Sequence, residues 1–166
     1  MGMPEMVTVG GKGKAELREL LRRSCVELNA YAEEIFASDL FTVSDAPRQV
    51  RIAEVSVEAL GFPGGAVMRD VLAKAGELGL GPCPPELGPY LRLAYMDQPG
   101  VSGSLSGGGK APEGAVTVVS APLSADDAFP KGFYLRKVNG VLWLRGYRCD
   151  AEHVLAPPDR LVFARL

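Results

Sequence analysis

One histidine and three cysteines are all that 166 residues supply for metal or thiol chemistry. Cys25, Cys83 and Cys149 lie far apart with no C-x-x-C pair, so the spacing of a zinc site is missing even when His153 is added. An odd set of cysteines, with no apolar signal-peptide core ahead of it, reads as reduced thiols and therefore as a cytoplasmic protein. No apolar run approaches the roughly twenty residues that span a bilayer. Neither sign of charge dominates. Eighteen basic against twenty acidic residues leave a net charge of −2, which offers nucleic acid or anionic lipid no global attraction. There is no internal repeat, and nothing implies a cofactor or a metal.

What is present is the composition of a folded domain: 47% hydrophobic and 23% charged residues, enough to bury one ordinary core. Twenty glycines and thirteen prolines predict many turns. Residues 1–14 read as a loose leader. A long amphipathic helix is expected over 14–37, where Leu17, Leu20, Leu21, Leu28, Tyr31 and Ile35 recur at three- and four-residue spacing. Residues 50–60 suggest a strand whose alternation slips between Ile52 and Val55, the mark of a bulge. A second helix over 66–78 has Gly79 to close it. Further strands are expected at 90–96, 116–120 and 161–166, with a mobile Gly/Ser loop over 99–114. The sum is an α+β domain over 15–166: two helices packed on a mostly antiparallel, curled sheet of about six strands.

The most specific local signal is Gly132–Cys149, GFYLRKVNGVLWLRGYRC. Asn139-Gly140 suits a two-residue type I′ turn, in which both residues need positive φ. Such a turn pairs Val138 with Val141, and the rest of the register follows. Arg136 then faces Trp143, Tyr134 faces Arg145 and Gly132 faces Tyr147, all on one side. Phe133, Leu135, Leu142 and Leu144 fall on the other. One face is oily; the opposite face is a ladder of Tyr134, Arg136, Trp143, Arg145 and Tyr147. With Lys131, Lys137 and Arg148 the stretch carries five cations and no intervening acid.

Other constellations are weaker. Cys149, Asp150 and His153 form the one thiol–imidazole neighbourhood, close enough for a nucleophile and base if a helical turn joined them. Read as structure, Cys149 is a small hydrophobe at a strand end. Glu86 and Asp97 offer two carboxylates for acid–base work, provided that they share a cleft. Asp126-Asp127 reads as a turn. Gly10–Ala15 and Gly107–Ala111 imitate phosphate loops, but Thr8 and Ser104 stand where the first glycine belongs. Ala15 and Ala111 replace the magnesium-binding hydroxyl, so both read as linkers.

Leu60-Gly61-Phe62-Pro63, Gly65-Ala66, the AGELGL run from Ala75, Cys83–Glu86, Gly88-Pro89, Leu91–Leu93, Tyr95 and Asp97–Pro99 resemble a family of small bacterial proteins with no established activity. The likeness covers the middle quarter of the chain and, more loosely, the C-terminal strands. It implies a bacterial cytoplasmic protein and offers no catalytic residues.

The functional expectation is a non-enzymatic binding protein whose aromatic-cationic face engages a macromolecular partner, a protein in preference to nucleic acid because the chain is acidic. A single-stranded nucleic-acid module using the same face is the alternative. A small thiol or carboxylate hydrolase ranks third.

Overall fold

The computed structural model describes residues 2–103 and 113–166. In chain order the elements are β1 (Met6–Val9), α1 (Lys14–Arg23), β2 (Val26–Leu28), α2 (Ala30–Ala37), β3 (Arg48–Ser56), β4 (Ala66–Val67), α3 (Met68–Glu77), β5 (Leu80–Gly81), α4 (Leu87–Ala94), β6 (Val116–Val118), β7 (Gly132–Val138), β8 (Val141–Tyr147), β9 (Val154–Leu155) and β10 (Arg160–Arg165). The fold is α+β. The main sheet runs β1–β3–β10–β6–β7–β8–β2, with β5 added on β10, and curls into a half-barrel. It is mixed: β6 lies parallel to β10, and β2 parallel to β8.

Among the described residues four helices replace the expected two. The predicted helix over 14–37 is interrupted at Cys25, whose φ of 59° lies in the left-handed region. Val26–Leu28 then joins the sheet edge beside Leu142–Leu144. A new helix restarts at Asn29, whose side chain accepts from the Ala32 N–H at 2.9 Å. The predicted strand at 90–96 lies instead mostly in α4. Leu87, Tyr90 and Leu91 bury one helical stripe, and Pro89 sits in the first turn, where its missing N–H costs nothing.

The leader expected over 1–14 is also overturned. Met6–Val9 pairs with β3 and buries Val7 and Val9. The glycines that follow form a tight turn, not a linker. A Cβ on Gly10 (φ +91°) would stand 2.3 Å from the Ala46 carbonyl oxygen, and the Gly11 N–H donates to the Ser44 carbonyl at 2.9 Å. The Gly107–Ala111 stretch lies outside the described residues.

No bulge explains the slip in β3, because its register with β10 is continuous from Ser56–Arg160 to Ile52–Ala164. The strand instead serves two cores. Val50 and Ile52 point into the larger core, which α1, α2 and α4 cover. Ala53 and Val55 pack on the opposite face against a smaller cluster held by Val71 and Ala75 of α3. That second cluster covers the outer face at β3 and β10.

Candidate aromatic-cationic surface

The hairpin has the expected register at every pair from Val138–Val141 to Gly132–Tyr147. Asn139 and Gly140 have φ of 50° and 82°, as a type I′ turn requires. Phe133, Leu135 and Leu144 are buried in the larger core. The ladder residues share the opposite face, and their surroundings divide them.

Tyr134 and Arg136 are buried. Arg136 donates from Nε to the Glu113 carbonyl at 2.8 Å, which ties it to the segment beside β6. Tyr147 lies across Gly132, where a Cβ would meet its Cε1 and hydroxyl at 3.5 Å. Here the ring fills the space over a glycine on the neighbouring strand. Burial pushes the Tyr147 hydroxyl above its ordinary range. Trp143 and Arg145 remain half-exposed.

Arg145 is the centre of what is left. Its Cζ stands 4.9 Å from the Trp143 ring centroid and 5.9 Å from that of Tyr134, while Nε donates to the Tyr134 hydroxyl at 2.7 Å. Each such contact is worth ~0.5–1 kcal/mol at a wet surface and more when desolvated. Among the described residues no carboxylate pairs with Arg145. Beyond Trp143, β2 contributes Glu27 as its strand neighbour.

The five cations do not form one surface. Lys131 donates to the Ser124 and Asp126 carbonyls, each at 3.1 Å, and lies 3.8 Å from the Asp127 carboxylate. Lys137 pairs with Leu142, which puts it on the oily side of the ribbon. Arg148 turns to α2, 4.4 Å over the Tyr31 ring and 4.0 Å from Glu34. Only Arg145 stays with the rings and open to solvent. Alternation alone assigned the faces; the neighbours that claim each cation come from segments remote in sequence.

A residue that sequence reading passed over organises the back of this surface. Arg92 of α4 is fully buried. Its Nη1 donates to the Gln98 side-chain oxygen at 2.7 Å and to the Trp143 carbonyl at 3.1 Å; Nη2 donates to the Tyr95 carbonyl at 2.5 Å. Burial lowers the guanidinium to about 10, so it stays charged at neutral pH. Gln98 in turn donates to the Gly114 and Leu135 carbonyls at 3.1 and 3.2 Å. An arginine inside an apolar helix stripe, LGPYLRLA, was the available signal.

The hydrolase constellations are not assembled. The charged groups acting on Cys149 are Lys131, Asp150 and Asp127, and burial raises its thiol. The His153 main-chain N–H donates to the Asp150 carbonyl at 3.3 Å, and among the described residues no hydrogen bond joins its ring to Cys149; the Asp159 carboxyl is raised by burial and accepts the Ala156 N–H at 2.9 Å. Glu86 is buried and accepts both the Ser44 N–H and hydroxyl at 2.6 Å. It precedes the first turn of α4, whereas exposed Asp97 follows the last, which separates them by about 12 Å along an eight-residue helix. Among the described residues no three His, Cys, Asp or Glu side chains gather as a metal site, and no helix is long and apolar enough to cross a membrane.

Set against known protein families, curated proteins and solved structures, the chain has no match.

Proposed function

We propose that this chain is a non-enzymatic binding protein that engages an acidic protein partner through the Trp143–Arg145 strip of β8. The observation that carries this reading is the half-exposed Arg145 guanidinium, stacked against Trp143 and without a carboxylate partner among the described residues. A desolvated indole with an adjacent guanidinium is the combination that dominates protein interfaces, where Trp and Arg supply most of the energy. Buried Tyr134 supports the strip from its own face through the hydrogen bond to Arg145, and Tyr147 flanks it on the same strand. The occupation of Glu86 by the Ser44 N–H and hydroxyl, at the end of α4 away from Asp97, favours binding over hydrolysis.

Selection of displayed peptides on the immobilised protein tests this. Acidic peptides recovered on the wild type and lost on Trp143→Ala/Arg145→Ala, with an unchanged melting temperature, support the proposal. Equal recovery on both proteins rejects it. A mixed-sequence single-stranded oligonucleotide that quenches the one tryptophan at low salt would transfer the same strip to the nucleic-acid reading.

A further inference from the structure

The other end of the sheet carries a second, chemically different feature. Pairing of β3 with β10 stops at Ile52–Ala164. Beyond that point β3 continues beside β1, and Arg165 pairs with Leu80 of β5. The two central strands therefore part company one step before they would bring Arg51 opposite Arg165. A groove of about 800 Å³ lies there, lined by Arg48, Arg51 and Arg165 and walled on one side by Pro82, Pro84 and Ala121. Among the described residues no Asp or Glu side chain lines it.

The charge in this groove is uncompensated. Arg18, Arg22, Arg23, Arg69, Arg148 and Arg160 all stand within ion-pair distance of a carboxylate. Arg48, Arg51 and Arg165 pair with none among the described residues. Arg165 also borders a smaller hollow of about 290 Å³ that contains Glu5 and Glu54, but Glu54 is taken by Arg160 at 3.0 Å. Arg51 and Arg165 flank the point where the strands part, and two like charges there repel unless an anion sits between them.

We infer that this groove binds a small molecule carrying a di- or triphosphate chain. Planar guanidinium forks match phosphoryl oxygens two at a time. Arg51 and Arg165 lie on the same face of the sheet, one on each side of the split, whereas Arg48, three residues before Arg51 and roughly 10 Å along the strand, lies on the opposite face. Two linked phosphoryl groups present a pair of oxygens to each of Arg51 and Arg165, whereas a single carboxylate has oxygens for only one guanidinium fork. The groove has the volume of an ordinary small-molecule site, and its proline wall offers an apolar surface to the body of the ligand. This site is independent of the Trp143–Arg145 strip.

The test is calorimetric titration of the full chain with inorganic tripolyphosphate and with ADP, at low salt and with EDTA. Both should bind the wild type, and Arg51→Ser/Arg165→Ser should weaken both at least tenfold. Trp143→Ala should bind them as the wild type does. Without ligand the double variant should melt at the wild-type temperature or above it, because a repulsive pair has been removed. Undiminished binding by that variant overturns the assignment, as does absence of binding at millimolar ligand. Inorganic phosphate that binds as tightly as tripolyphosphate would reduce the effect to charge screening and also overturn it. So would a single-stranded oligonucleotide that binds through these arginines more tightly than tripolyphosphate.

Discussion

Arg92 and Trp143, on a helix and a strand 51 residues apart, are joined by a hydrogen bond of 3.1 Å from guanidinium to main-chain carbonyl. The carbonyls of Trp143 and Tyr95 and the Gln98 amide oxygen all depend on this one buried cation. Arg92→Met removes the donor and leaves those acceptors dry, so we expect a loss of about 3 kcal/mol or more in denaturant unfolding. Arg92→Lys should recover only part of it, since an ammonium lacks the planar fork. Trp143 emission should shift in both variants before global unfolding. An unchanged midpoint for Arg92→Met would show that the carbonyls find water.

Asn29 does two jobs at once. Its side-chain oxygen accepts from the Ala32 N–H at 2.9 Å and the Gly146 N–H at 2.8 Å, while its amide donates to the Gly146 carbonyl at 3.0 Å. It caps α2 and imitates a strand residue beside β8. Asn29→Ala should cost ~1–3 kcal/mol. The partner position is as strict: a Cβ on Gly146 would stand 2.8 Å from the Ala32 nitrogen and the Tyr31 carbonyl carbon, both main-chain atoms. Gly146→Ala should therefore lower the melting temperature by several degrees, read by circular dichroism. A melting curve identical to wild type would mean that α2 can slide.

The three thiols should react in a fixed order. Cys25 is exposed and Cys149 half-buried, whereas burial pushes Cys83 up to about 12 and its thiol donates to the Val162 carbonyl at 3.5 Å. Cys83 is then thiolate in roughly one molecule in ten thousand at pH 8. In an iodoacetamide time course, Cys25 should be labelled first and Cys149 more slowly, because burial also raises its thiol. Cys83 should be labelled only in denaturant. Raising the pH from 7 to 9 should leave Cys83 unlabelled, because its thiol stays protonated and packed. Labelling of Cys83 as fast as Cys25 would contradict the packing of the larger core.

The hairpin was legible because everything that sets it is local. Asn139-Gly140 admits one turn geometry, and period-two alternation then distributes seven pairs of side chains without help from elsewhere. The helix closing at Gly79, with φ of +76°, was legible for the same reason. The strand at 6–9 and the helix at 87–94 were not. Four residues of alternation carry little signal, and a proline-flanked LRLAY suits a strand as well as a helix until Leu87 and Tyr90 find the same core.

What the amino-acid order determined by itself, then, was a register: which rings and guanidiniums of residues 132–147 share a face. Tertiary structure decided which of them meet solvent. Glu113 claims Arg136, the 124–127 turn claims Lys131, and Tyr31 claims Arg148. It also decided that β3 serves two cores and parts from β10 beside Arg51 and Arg165. Turn chemistry acts between neighbours along the chain, whereas desolvation depends on which distant segment arrives to cover a side chain.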